Sequence, residues 1–215
     1  IMMISFHTSL NSILAVMHPE ILTPTQHSLL PFVKLFRGNF VLVGGTAIAI
    51  HLGHRRSIDF DLFSTRKISA ALIFDKMYQL KLRANKIQIR SEWNFTMIIK
   101  GVQFTFYHYP FHLKAKIIFN NSCRIPSLLD LAAMKVHALG GRGKWKDYVD
   151  LYFILRDHFT LQQISDRALE MFQGEFNPRL LRQQLCFFSD INYSQKAATQ
   201  KRGFPVPTFF NTVRY

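Results

Sequence analysis

The chain has 215 residues, enough for one substantial domain with a helical extension. Its 48% apolar content, with 21 phenylalanines, supports a packed core and excludes a disordered chain. Lys and Arg number 27 against 13 acids, a formal net charge of +14, and a field of that sign attracts polyanions. A basic surface that meets an acidic protein partner gives the same balance.

No stretch approaches the ~18 uncharged apolar residues that a membrane-spanning helix needs. The opening Ile1–Met17 lacks a basic leading segment and an unbroken apolar core, so it is not read as a secretion signal. Cys123 and Cys186 are too few for a disulfide framework; two buried, reduced thiols in a cytoplasmic protein are expected.

In chain order, Thr23-Pro24 reads as a helix start that runs toward Phe36, with Thr as cap and Pro in the first turn. Phe40–Val43 is a short strand, Thr46–Leu52 a short helix and Gly53–Ser57 a basic loop. Ile58–Phe63 alternates as a strand, and Ile68–Leu80 is an amphipathic helix. Three strands follow at Ile87–Arg90, Phe95–Lys100 and Val102–Tyr107, with Gly101 turning the last pair. A further strand covers Ala115–Phe119. After Pro126 the texture is helical: Ser127–Leu139, Lys146–Asp157, Leu161–Phe172 and Pro178–Phe188, with Gly140–Lys144 as a loop. The predicted class is α/β (α+β). It divides into an α/β core over 1–125, a helical portion over 126–193 and a basic tail over 194–215, all one cooperative unit.

Two features carry chemistry. In Ser57-Ile58-Asp59-Phe60-Asp61-Leu62, strand alternation puts Ser57, Asp59 and Asp61 on one face and Ile58, Phe60 and Leu62 on the other. Two carboxylates at ~4 Å repel by about 4 kcal/mol at an effective dielectric near 20. Solvation relieves that repulsion, and so does a hard divalent cation such as Mg²⁺. Upstream, Gly44-Gly45-Thr46 follows a strand and opens a helix, where free N–H groups face phosphate. Between them, Arg55 and Arg56 suit bidentate phosphate binding, or pairing with Asp59 and Asp61.

The run from Val41 through Gly44-Gly45 and His54-Arg55-Arg56-Ser57 to Asp59-Phe60-Asp61 resembles the DNA polymerase β-like nucleotidyltransferase superfamily, and within it the AbiEii/AbiGii toxins. A second block, with Lys135, Arg142, Lys146-Asp147 and Asp150-Leu151, carries the same resemblance, which extends from about Pro19 to about Asp190. It implies a polymerase β-like mixed sheet with flanking helices. It further implies a cytoplasmic toxin that moves a nucleoside monophosphate from NTP to an acceptor, RNA (tRNA) or protein, with an antitoxin as further partner.

By the same resemblance Asp59 and Asp61 hold Mg²⁺ or Mn²⁺, Lys135 neutralises phosphate and Asp147 completes the site. Gly44, Gly45, Thr46, Arg55, Arg56, Ser57, Arg142 and Lys146 bind nucleotide. Read without it, Asp147 and Asp150 are first-turn helix acids, and Lys146 and Asp150 are an i, i+4 pair. One departure stands out: the strand Val102–Tyr107 lacks the third carboxylate usual for two-metal members. Asp147 substitutes for it, another base acts, or the chain binds nucleic acid or an acidic antitoxin without catalysis. His51 and His54 have no third ligand nearby and are not read as a zinc site; Trp93 and Trp145 are read as packing residues.

Overall fold

The computed structural model describes residues 17–140 and 144–186. Helix α1 (Pro24–Lys34) opens on a capping box: Thr23 accepts from the Gln26 N–H and the Gln26 side chain accepts from the Thr23 N–H. Strand β1 (Val41–Val43) runs straight into α2 (Gly44–Leu52), so the two glycines are the first helical residues rather than a turn before it. Strand β2 is Phe60–Ser64, shorter at its start than the alternation suggests, and Ile58 is 50% exposed. The segment before it is tied instead by side chains. The Thr46 hydroxyl reaches the carbonyls of Ser57 and Asp59, and Gln26 Nε2 donates to the Ser57 carbonyl at 2.9 Å.

Helix α3 (Ala70–Gln79) leads to an antiparallel meander of β3 (Lys86–Arg90), β4 (Asn94–Ile99) and β5 (Val102–His108). Lys100 and Gly101, both at positive φ, make the two-residue turn between β4 and β5. The sheet has five strands in the order β1-β2-β5-β4-β3, with β2 and β5 parallel and the other pairs antiparallel. A parallel pair needs a long connection, and here β3 and β4 lie within it.

One face of this sheet is apolar. Phe60, Leu62, Phe95, Met97, Phe104 and Phe106 are buried there; Phe32 of α1 packs edge to face on Phe104, and Phe36 just after the helix packs at a tilt on Phe106. The opposite face carries Asp61 and Phe63 of β2 and Gln103, Thr105 and Tyr107 of β5.

A small hairpin, β6 (Ile117–Phe119) and β7 (Cys123–Ile125), then leads to the helices. Its second strand is absent from the sequence reading. Asn120 and Asn121 at positive φ turn it, a role asparagine tolerates well. Helices α4 (Leu128–Leu139), α5 (Trp145–Asp157), α6 (Leu161–Phe172) and α7 (Pro178–Cys186) follow, and α4 and α5 both pack on α2. One continuous apolar cluster joins the front and helical halves.

Of the two thiols, Cys123 is buried, which pushes its pKa up to about 12, but Cys186 is exposed. Trp93 is likewise not a core residue: it is 48% exposed, edge-on to His108 with the Lys67 ammonium over its ring. Trp145 packs against the core as expected. Among the described residues no helix is long and apolar enough to cross a membrane.

Candidate active site

The polar face of the sheet and the helices α2, α4 and α5 enclose a cleft of about 780 Å³. Gly44, Gly45, Arg55, Ser57, Asp59, Asp61, Lys135, Lys146 and Asp147 all line it, so residues from both sequence blocks meet at one place. Two of the expected residues are placed otherwise, and a third is not among those described. Thr46 is buried, and its hydroxyl is engaged by the Ser57–Asp59 segment. Arg56 is exposed and does not line the cleft, and Arg142 lies outside the described residues.

The glycines are required by close approach. Gly44 has φ +71°, and a Cβ there would sit 2.3 Å from Oδ2 of Asp61. A Cβ on Gly45 would sit 2.5 Å from Nη2 of Arg55. The missing side chains therefore make room for a carboxylate and a guanidinium, and leave the helix start open to the cleft. Gly44→Ala is expected to lower the melting temperature and displace Asp61. Thermal melting beside calorimetric titration of metal and NTP checks this; an unchanged melt and unchanged binding would refute the packing argument.

Arg55 pairs with Asp150 rather than with Asp59 or Asp61. It is 2% exposed and forks onto Asp150, Nε to Oδ1 at 2.6 Å and Nη2 to Oδ2 at 2.9 Å. Asp150 is fully buried and also accepts from His54 Nε2 at 2.7 Å, while Lys135 Nζ lies 3.0 Å from its Oδ2. The Lys135 ammonium donates in turn to Asp147 Oδ1 at 2.7 Å. Asp150, read from sequence as a partner of Lys146 or a first-turn acid, is thus the centre of a buried charge network. His54 belongs to that network rather than to a metal.

Burial raises the pKa of a carboxyl, yet Asp150 is held well below the usual range because Arg55, Lys135 and the His54 and Arg55 hydrogen bonds outweigh it. Burial likewise works against the charge on Lys135, but Asp150 and Asp147 more than compensate and raise its pKa. His54 goes the other way: burial lowers it despite Asp150.

Asp59 differs from Asp150. Burial raises its pKa, and Lys146, Arg55 and Lys144 only partly offset that. An ionised Asp59 is therefore only partly compensated, and a cation beside it would complete the compensation. Among the described residues no group of three or more His, Cys, Asp or Glu side chains is placed to hold a metal. Two carboxylates with substrate phosphate and water as remaining ligands suit Mg²⁺, which seldom takes an all-protein cage. Donor type and local charge both fit.

An uncharacterized protein of Aquifex aeolicus is 32% identical over 161 residues, covering 71% of this chain and 75% of that protein. Residues 102–204 match the sequence profile of the nucleotidyl transferase AbiEii toxins of type IV toxin–antitoxin systems. The chain belongs to the AbiEii nucleotidyltransferase family. The AbiEii match spans β5 and the helical half, including Lys135, Asp147 and Asp150, while the glycine turn and acid pair lie before it. Among solved structures, a putative nucleotidyltransferase from H. pylori is similar at 18% identity and TM-score 0.48, covering 75% of this chain and 74% of that one. The MenT4 nucleotidyltransferase toxin of Mycobacterium tuberculosis is similar at 12% identity and TM-score 0.47, covering 66% and 61%.

Proposed function

We propose that this AbiEii-family chain is a metal-dependent toxin that transfers a nucleoside monophosphate from an NTP to RNA, with tRNA the favoured acceptor. The observation that carries the reading is the convergence of Asp59 and Asp61 with Lys135 and Asp147 in one cleft. Asp59 and Asp61 would hold Mg²⁺ or Mn²⁺, which when bound supplies charge neutralisation to the phosphoryl oxygens.

The chain's own groups supply the rest. The N–H groups at the start of α2 and the Ser57 hydroxyl face the triphosphate. Lys135 and Lys146 balance its charge, and Lys144 adds to the field at the same wall. An acceptor hydroxyl oxygen attacks the α-phosphorus, the bond to the β-phosphate oxygen breaks, and pyrophosphate leaves. Asp147 takes the hydroxyl proton, filling the role left open by the cleft face of β5, where Gln103, Thr105 and Tyr107 bear no carboxylate. Positioning and charge neutralisation carry most of such a reaction.

That same bare face favours one rival, a nucleic-acid-binding or antitoxin-docking protein without turnover. Labelled NTPs separate the two. Label on the α-phosphorus of at least one of the four NTPs is expected to enter tRNA, label on the γ-phosphorus is not, and Asp59→Asn with Asp61→Asn should abolish both transfer and metal-dependent NTP binding. No incorporation into RNA from any NTP, or incorporation into protein alone, overturns the proposal.

A further inference from the structure

The cleft is chemically divided. Its helical wall carries Lys144 and Lys146 beside the paired Lys135 and Asp147, and the acid pair Asp59 and Asp61 stands next to it. The rest of its floor, which starts at Thr105 beside Asp61 and runs outward, is uncharged: Thr105, Gln103, Thr96, Asn94 and Gln88 offer amides and hydroxyls but no charge. The Thr96 hydroxyl donates to Oδ1 of Asn94 at 2.9 Å, which turns the Asn94 amide N–H groups away from Thr96. Such groups suit base edges and ribose hydroxyls, whereas a run of backbone phosphates is held chiefly by cations.

This neutral floor ends at β3, which among the described residues is a free edge of the sheet. From β2 to β3 is three strand spacings, about 14 Å. At that edge the charge returns. Between Lys81 and Lys100 the chain carries five cations, all exposed, against one acid, Glu92, and that acid is bound by Lys67 at 2.9 Å. Arg90 lies over the Phe74 ring. Lys81, Arg83, Lys86 and Lys100 make no side-chain hydrogen bond or ion pair among the described residues. Gln88 and Ile89 of β3 line the cleft, so the edge and the cleft are continuous.

We propose that the β3 edge is an RNA docking path. Lys81, Arg83, Lys86 and Lys100 grip phosphates, while the strand leading to the acid pair lays its bases and riboses on the neutral floor. The assignment rests on RNA being the acceptor. An acidic peptide added as a sixth strand is the competing occupant of a free edge. The register shift between Ile87 and Ile89 works against it, because a bulge breaks the even ladder that strand addition needs. Three of the four free cations also lie outside β3, Lys81 and Arg83 in the segment before it and Lys100 in the β4–β5 turn, where a sixth strand would not pair with them.

The test is a triple variant, Arg83→Gln, Lys86→Gln and Lys100→Gln, in the full chain, with tRNA binding followed by anisotropy across a salt series. The path requires at least a tenfold loss of affinity at low salt and a log–log salt slope shallower by about 2, since each phosphate contact contributes roughly 0.7. Metal-dependent NTP binding should stay as in wild type, and the KM for RNA should rise without a matching fall in kcat. Unchanged affinity and slope overturn the proposal. So does binding of an acidic strand-forming peptide that the triple variant loses while tRNA binding persists. RNA binding is read without turnover, so the two ideas fail separately. Edge-dependent RNA binding with no transfer removes the transferase reading alone, and RNA transfer indifferent to the edge removes the path alone.

Discussion

Asp150→Asn is expected to cost about 3–5 kcal/mol of folding stability, because it strands buried cations without their counter-ion. The carboxylate is fully buried and serves three partners at once: both arms of the Arg55 fork, His54 Nε2 and the Lys135 ammonium. An asparagine of the same size has one oxygen and no charge, and its amide N–H groups would face cations. For a chain of this length each kcal/mol moves the melting temperature by roughly 2–4 °C, so a drop on the order of 10 °C is expected. Glu92→Gln is the control. Its pair with Lys67 is more than half exposed at both ends, and such pairs are worth about 0–1 kcal/mol.

The pH dependence follows from the same network. Asp150 is depressed in the folded state, so its contribution is full above the unfolded carboxyl value of about 4 and fades as pH falls through the folded value. Lys135 is raised, so its contribution is full below about 10.4 and fades as pH rises through the folded value. Denaturant melts across pH should show a wild-type acid limb that Asp150→Asn flattens. A variant within about 1 kcal/mol of wild type, with the same acid limb, would falsify the view of Asp150 as a hub.

The front of the cleft was legible in the sequence because its signals are local. Alternation in Asp59-Phe60-Asp61 places Asp61 opposite its apolar neighbours, and Phe60 and Leu62 are indeed buried beneath it. The glycines follow a strand and open a helix, which bounds their position to within two residues. Asp150 was not legible. Its spacing suggests Lys146 as partner, but besides Lys135 on the preceding helix its partners are Arg55 and His54, 95 and 96 positions away, and nothing local marks such contacts. The Arg55–Asp150 pairing was missed for the same reason: the fork that suits phosphate equally suits a carboxylate, and the sequence offered only Asp59 and Asp61 as acidic partners. The strand β7, no shorter than β1 or β6, escaped because Asn120-Asn121-Ser122 before it and Pro126 after it make the segment read as loop. Trp93 and Cys186 look like core residues by type, and only tertiary placement leaves them exposed.

Asp147→Asn is expected to lower nucleotide transfer by about 10²–10⁴-fold, the range for losing a positioned general base. Its stability cost should be smaller than that of Asp150→Asn, because Lys135 keeps Asp150 at 3.0 Å and the new amide oxygen still accepts from the ammonium. A net hydrogen bond to a charged group is worth about 1.5–3 kcal/mol, and only part of that is forfeited. Lys135 behaves differently. It is 7% exposed between two carboxylates, so Lys135→Ala leaves Asp147 and Asp150 facing each other and should destabilise severely as well as inactivate. Lost activity in that variant therefore says little by itself, whereas Lys135→Arg keeps the charge and should retain part of both properties. The informative comparison is Asp147→Asn against wild type, well below either melting temperature, with NTP binding measured in parallel. NTP affinity within threefold of wild type, together with a collapsed kcat, places Asp147 on the proton rather than on substrate binding. If transfer stays within about threefold of wild type, the base is another group. The bare cleft face of β5 then points to water or the substrate itself as proton acceptor.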